Sequence, residues 1–319
     1  MNRQTMKPTP PSQGDVVYNL TKKRVSSKYI DNRSMPLKSM VFKALTTAVS
    51  TLTTNQQQPW WMGVETKLIK KITLVPPACD AAADGNNNGR LPVHTLTFQI
   101  PKNVTFSGKA IPHNDVRLDM GDVVKMVIPG YKPKSYSMSA LRETEFDVTF
   151  KVYPNGRASG FLDRLQVGDY INSFGMRKST IRNPGSYVGV IAYGVGITEA
   201  LPVAKAELEK GDAQQVVLLW ASKTQADTFW NDEIQELATQ YPTKFQMVYI
   251  FSREDVDGCL KGRINPQILS EVFHGANDNT TKVEARFLSV GTKDMMRMTD
   301  RMLSEIGFDM PKHALLPKM

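Results

Sequence analysis

Gly194-Val195-Gly196-Ile197-Thr198 stands where an apolar run, 188–194, gives way to a helix-like stretch. Glycines at such a junction let a ligand approach the backbone, and the free N–H groups and positive dipole end of the following helix attract a phosphate. The third glycine of the dinucleotide fingerprint is absent, so a plain strand-to-helix turn satisfies the same residues. A second apolar run ends in the same way at Ser289-Val290-Gly291-Thr292, ahead of a helix containing Met295 and Met296. Two glycine-bearing strand ends on one sheet point to one cleft, because ligands of open parallel sheets lie beyond the carboxyl ends of the strands. Elsewhere, Lys134-Ser135-Tyr136-Ser137-Met138 follows a Gly130-Tyr131-Lys132-Pro133 turn. A tyrosine between hydroxyl residues can lay its ring on a flat cofactor, with Lys134 near a phosphate; an exposed strand edge has the same composition. Gly156-Arg157-Ala158-Ser159 precedes a helical stretch at 160–165. Glycine, cation and hydroxyl at a helix start suit a pyrophosphate, and a hairpin turn with a capped helix reads identically. The four histidines, His94, His113, His274 and His313, have no zinc-ligand spacing, and no metal is expected.

These residues need elements to hold them. Strand-like runs at 64–75, 93–100, 123–128, 146–153 and 169–174 are separated by Gly, Pro and Asn, the pattern of an antiparallel sandwich or barrel. From 186 onward the rhythm changes. Nearly all-apolar strands at 188–194, 214–221, 245–251 and 285–291 alternate with helical stretches at 197–211, 228–239, 265–273 and 293–306. That alternation predicts a parallel sheet covered on both faces. The fold class expected is therefore α+β in two domains: an antiparallel β-barrel at 61–180, then an α/β parallel-sheet nucleotide-binding domain at 186–319, with a basic extension at 1–60 ahead of both. An Asn/Gly-rich insert at 78–90 reads as a surface loop.

The 319 residues are 41% hydrophobic and 22% charged, ordinary globular usage. No apolar run approaches the roughly 18 residues of a spanning helix. Two cysteines, Cys79 and Cys259, make no disulfide framework and suit a reducing compartment. The net charge of +9 is uneven. Residues 1–55 hold nine basic side chains against two acidic ones, so they carry +7 and leave +2 for the rest. A nucleic-acid groove across the body is not expected. The segment resembles an organellar transit segment or a basic tail, which makes a mitochondrion or another organelle the expected location, with the cytoplasm as the alternative. Within it, Leu37, Met40, Val41, Leu45, Val49 and Leu52 recur at helical spacing. Such a helix serves either targeting or a membrane surface, or docks on a larger complex or on the body.

The order of these motifs resembles the ferredoxin–NADP reductase superfamily over about 68–308, and within it the NADH–cytochrome b5 reductase type. Its R-x-Y-S/T motif is matched by Lys134-Ser135-Tyr136-Ser137, its IKVY strand by Phe150-Lys151-Val152-Tyr153, and its GKMS turn by Gly156-Arg157-Ala158-Ser159. Its GTGITP turn is matched by Gly194 to Glu199, and its CGPPPM motif by Val290 to Met295. Four departures stand out. Lys134 replaces an arginine and loses the bidentate fork. Glu199 replaces a proline and adds negative charge near a pyrophosphate site. Val290 replaces the cysteine beside the hydride-transfer position, and Thr292 replaces a proline.

The resemblance implies a barrel that binds FAD and a second domain that brings NAD(P)H over it. Tyr136 and Ser137 would be the residues at the reacting ring. Lys134, Met138, Lys151, Tyr153, Gly156, Arg157, Ala158 and Ser159 would surround the flavin. Gly194, Gly196, Ile197, Thr198, Asp227, Gly291 and Met295 would surround the nicotinamide nucleotide. Electrons would leave singly to a haem or iron–sulfur protein. Asp227 resembles the acid of NADH users, since a carboxylate repels a 2′-phosphate, whereas Lys223 and Arg253 resemble residues of NADPH users; the balance favours NADH. The alternative is a catalytically degenerate, reductase-like structural or assembly subunit, motivated by Glu199, Val290 and the basic extension.

Overall fold

The computed structural model describes residues 57–78, 89–101, 105–106, 109–110, 122–142, 144–178, 182–276, 284–310 and 312–316, which belong to one compact unit spanning 48–319. The helix expected within 36–52 and most of the insert at 78–90 fall outside these residues.

The first half is β-structure. β1 (Gln57–Val75), β2 (Val93–Gln99), β3 (Thr105–Phe106), β4 (Lys109–Ala110) and β5 (Asp122–Met126) are followed by β6 (Lys134–Ser137), β7 (Ala140–Arg142) and β8 (Glu145–Lys151). Helix α1 (Arg157–Arg164) and strand β9 (Tyr170–Lys178) complete it. Seven of the strands form one antiparallel sheet in the order β6-β5-β9-β1-β2-β8-β7. The sheet rolls up: β6 and β8 lie near opposite ends of that order, yet the Tyr136 and Phe150 rings stand 6.1 Å apart. Period-two burial fills the interior with Leu68, Leu96, Phe98, Val124, Met126, Phe146 and Val148, and Leu162 of α1 plugs one end. This is the expected barrel. Lys134–Ser137 is the exposed edge strand that its composition allowed, whereas the short β7 was not signalled, because edge strands need no apolar alternation.

The second half alternates as expected. β10 (Tyr187–Tyr193), a 3₁₀ turn at Gly194–Gly196, α2 (Ile197–Lys210), β11 (Gln215–Ser222), a 3₁₀ turn at Gln225–Asp227, α3 (Asn231–Gln240), β12 (Phe245–Phe251) and β13 (Leu260–Lys261) come first. Then follow α4 (Pro266–Val272), β14 (Ala285–Val290) and α5 (Lys293–Glu305). The parallel sheet runs β13-β12-β11-β10-β14, with one apolar layer on each face. The chain steps outward from β10 through β11 to β12, then returns to the other side of β10 as β14. The order therefore reverses between β10 and β14, and the crevice of such a sheet opens at that switch point. Residues 312–316 run beside β14, where the Phe287 N–H donates to the His313 carbonyl and the Phe287 carbonyl accepts from the Leu315 N–H. Between β9 and β10, Arg182 pairs with the fully buried Glu207 and with Asp212 and holds the connecting segment to the α/β half.

Candidate active site

Both glycine turns sit at the switch point. β10 ends at Tyr193, whose hydroxyl meets Thr299 Oγ1 at 2.7 Å. Gly194 then adopts φ of 53°, and a Cβ there would meet nothing within 4 Å. The glycine is needed for conformation, and its outer side is open. Gly196 is needed for another reason: a Cβ would fall 2.5 Å from the Val290 carbonyl oxygen. The turn thus lies directly against the end of β14, and Gly291 in turn lies beneath the Tyr193 ring. Ile197 is fully buried, and the Thr198 hydroxyl donates to the Val195 carbonyl at 2.9 Å. Their side chains build the turn, leaving its backbone for a ligand. Met295 is 38% exposed at the start of α5, close to Gly291 in sequence. Thr292, at the position of a family proline, caps α5 by accepting from the Met295 N–H at 3.3 Å.

Across the crevice stands the barrel. Tyr136 is half-buried against Phe150, and burial pushes its phenol up to about 12. Ser137 donates to Glu199 Oε2 at 3.1 Å. Glu199 lies in the first turn of α2, where the helix dipole favours a carboxylate. Met138 belongs to the barrel core, so its side chain is spent on packing. Lys134, Arg157 and Tyr153 are exposed on the same barrel, and the Arg157 guanidinium lies 5.9 Å from the Tyr131 ring centre. Helix α1 begins at Arg157, so Arg157, Ala158 and Ser159 form its first turn instead of preceding it. Ala158 and Ser159 are buried. The Ser159 hydroxyl accepts from the Tyr153 N–H at 3.2 Å and donates to the Gly156 carbonyl at 3.4 Å. A Cβ at Gly156 would fall 2.3 Å from that hydroxyl. The serine therefore closes the turn and leaves the helix N–H groups free to face outward.

These donors fit a flavin dinucleotide: a half-buried aromatic ring, two exposed cations and a helix N-terminus on one barrel surface. The far end of the cleft fits a nucleotide less simply. Asp227 follows β11 as expected but is only 6% exposed. Its Oδ1 lies 3.5 Å from Lys151 Nζ, and its Oδ2 accepts from Thr224 at 2.9 Å. Two of the expected site residues thus hold each other across the cleft. At the end of β11 the Ser222 hydroxyl is buried with no hydrogen-bond partner, and backbone bonds from Ser252 and Arg253 set those residues beside Ser222 and Lys223. An orphaned hydroxyl at a strand's carboxyl end suits a polar ligand.

Sequence reasoning missed the indole of Trp220, which donates to the Gly194 carbonyl at 2.8 Å. It also missed two polar links between barrel and α/β sheet, Ser137–Glu199 and Lys151–Asp227. Each joins residues far apart in sequence, and no local pattern signals them. Among the described residues no group of His, Cys, Asp and Glu could hold a metal ion, and no helix is long and apolar enough to cross a membrane.

The oxidoreductase NAD-binding domain family matches residues 190–301, the segment that contains both glycine turns. NADH–cytochrome b5 reductase 1 of Arabidopsis thaliana is 30% identical over 165 residues, covering 50% of this chain and 57% of that one. The protein of the same name from Mycosarcoma maydis is 26% identical over 219 residues, covering 67% of this chain and 65% of that one. The match thus spans less than two thirds of the length of these two relatives. Among solved structures, the CS-b5R domains of human Ncb5or superpose with a TM-score of 0.60 at 18% identity, covering 80% of this chain and 69% of that one. The cytochrome b5 reductase domain of Ulva prolifera nitrate reductase gives 0.57 at 20% identity, covering 79% and 96%. A ferredoxin–NADP+ reductase from Neisseria gonorrhoeae gives 0.58 at 17% identity, covering 79% and 94%. The chain thus matches the oxidoreductase NAD-binding domain model over residues 190–301 and shares the two-domain fold of these solved structures, with NADH–cytochrome b5 reductases among its sequence relatives.

Proposed function

We propose that the chain is a flavin-dependent NAD(P)H oxidoreductase of the cytochrome b5 reductase type. One observation carries the reading: Ser137 on the barrel and Glu199 at the start of α2 stand 3.1 Å apart. The Tyr136-Ser137 face and the Gly194 turn therefore look onto a single cleft, as transfer between two stacked cofactors requires. FAD bound there would accept a hydride and release electrons singly. Tyr136, backed by Phe150, offers the ring surface. Lys134, Arg157 and the α1 N-terminus offer charge to the flavin pyrophosphate. The turn at Gly194–Gly196, the α2 N-terminus and Gly291 offer backbone to the dinucleotide. The reduced nucleotide is NADH in this reading, because the relatives carry NADH in their names and Asp227 places a carboxylate at the end of β11. The acceptor is a haem or iron–sulfur protein, and residues 1–60 direct the chain to an organelle or to a larger complex.

A second reading, a reductase-like structural subunit, is favoured by a specific observation. The carboxylates of Glu199 and Asp227 are both engaged by barrel side chains, so a nucleotide must displace the protein's own contacts. The absorbance spectrum of the purified chain, incubated with FAD and then given NADH or NADPH without oxygen, separates the two. Flavin bands that bleach support the oxidoreductase, and the more effective nucleotide identifies the donor. Absent bands, or bands that persist with both nucleotides, refute it and leave the structural subunit.

A further inference from the structure

Trp220 lies mid-sheet on β11, in register with Ala192 of β10 and Tyr249 of β12. It is fully buried. Its ring packs edge-on to Phe229 at 5.5 Å and tilted against Tyr249 at 5.9 Å, so the indole has little freedom. Packing alone would be met by phenylalanine or leucine. What the indole adds is one N–H, and that N–H donates to the Gly194 carbonyl at 2.8 Å.

That single bond fixes more than a carbonyl. The Gly194–Val195 peptide is planar and trans, so its C=O and its N–H point in opposite directions. With the Gly194 oxygen drawn toward the core by Trp220, the Val195 N–H is turned outward, on the side where Gly194 faces open space. The Ile197 N–H also donates to the Gly194 oxygen, but it belongs to the same turn and would move with it. Trp220 is the anchor that ties the turn to a different strand. Gly194 itself supplies no resistance, because a glycine with positive φ rotates at low cost.

We propose that Trp220 is a positioning residue of the nucleotide site. Its indole holds the Gly194 peptide so that the Val195 N–H is presented to the pyrophosphate of a dinucleotide at the β10–β14 switch point. The inference rests on the proposed nucleotide site at the Gly194 turn and adds the residue that shapes it. It concerns binding of the nucleotide and makes no demand on hydride transfer.

The test uses the full chain and titrates NAD+ and ADP-ribose calorimetrically. Two variants remove the donor: Trp220→Phe, and Trp220 replaced by benzothienylalanine, which keeps the fused ring and its contacts but has sulfur in place of N–H. A third, Phe229→Leu, loosens the same aromatic cluster without touching the bond. Both donor-deleted proteins are expected to bind either ligand about tenfold more weakly, equivalent to about 1.4 kcal/mol. Phe229→Leu is expected to lower the melting temperature and leave affinity within twofold. If the benzothienylalanine protein binds like wild type, the proposal is overturned. Affinity that falls equally in Phe229→Leu also overturns it, since packing would then explain the effect. If the wild-type chain binds neither ligand, the nucleotide site itself is refuted and the inference falls with it, a result distinct from the other two.

Discussion

The Lys151–Asp227 pair is expected to lock the barrel to the α/β sheet, and its strength follows from its surroundings. The two charged atoms stand 3.5 Å apart, with side chains 13% and 6% exposed. At an effective dielectric constant of about 20 the attraction is about 5 kcal/mol before the cost of desolvating both groups. That cost offsets much of the gain, so replacing both residues by apolar ones of similar size should change stability little. Removing one partner is different, because it leaves a buried charge unpaired, at about 3 kcal/mol. Asp227→Asn leaves the Lys151 ammonium facing a neutral amide; Lys151→Met leaves the carboxylate with Thr224 alone. For 319 residues 1 kcal/mol moves the melting temperature by about 1.5 °C, so each single variant should melt about 4–5 °C below wild type. The double variant Lys151→Met/Asp227→Leu should melt close to wild type, so the coupling recovers most of the two single losses, about 6 kcal/mol. Circular dichroism at low and high salt measures all four proteins. Single variants within about 2 °C of wild type, or a double variant whose loss is additive, would show that the pair is an incidental contact and that the cleft is held by something else.

Two further outcomes follow from the same cleft and from the barrel. Glu199→Gln removes a negative charge from the α2 N-terminus while keeping an acceptor for Ser137. ADP-ribose, which carries the pyrophosphate without the pyridinium, should bind about fivefold more tightly, from about 1 kcal/mol of relieved repulsion at 4 Å in water; unchanged or weaker binding by calorimetry rules this out. His94 bonds Asp163 at 3.1 Å and Thr73 at 3.1 Å. Burial holds its imidazole below the ordinary 6.5, with Lys71 adding to the effect and Asp163 opposing it. The unfolded chain therefore takes up this proton first on acidification, so stability should fall as pH drops through 6.5 and level off only below the lowered value. His94→Gln should flatten that segment of the melting temperature–pH curve, and an unchanged slope would remove His94 from the account.

How much of this was legible in the sequence depends on range. The parallel strands announced themselves because both faces are buried, so that VGVIAYG and QQVVLLWA are nearly pure apolar runs. Barrel strands such as 93–100 were legible as short strand-like runs set off by Gly, Pro and Asn. β6 was legible only as an exposed strand edge, and β7, a three-residue edge strand, was not legible at all, since neither carries an apolar alternation. The glycine turns were visible, yet the reason for each glycine was not. Gly194 serves an unusual φ, whereas Gly196 and Gly156 are forced by a carbonyl and a hydroxyl within 3 Å of where a Cβ would sit. The sequence also placed Asp227 at the end of a strand but could not show that Lys151, 76 positions earlier, would reach across to it. Pairings of this kind are decided by how two domains meet, and local propensity has no access to that.

The departures from the family pattern acquire physical reasons once the elements are in place, and those reasons bear on whether the site works. Thr292 gives up a proline's rigidity but supplies a side-chain cap to α5, so the turn after β14 keeps a defined start. Glu199 gives up another proline but gains the α2 dipole and a bond from Ser137. Neither substitution damages the scaffold that carries the two glycine turns. A site drifting without function should instead accumulate losses at such places, such as a bulkier residue at Gly194, where the backbone alone demands glycine, or an uncapped helix. What Glu199 changes is charge: it sets a carboxylate 3.1 Å from the Ser137 hydroxyl, in the first turn of the helix that follows the Gly194 turn. A carboxylate there weakens anion binding and, by the same Coulomb argument, favours the positively charged nicotinamide ring over the neutral reduced one. Replacing Glu199 by Gln should therefore tighten ADP-ribose more than it tightens NAD+. Equal gains for the two ligands would place the nicotinamide end away from Glu199 and would break the link drawn between Ser137 and the reacting ring.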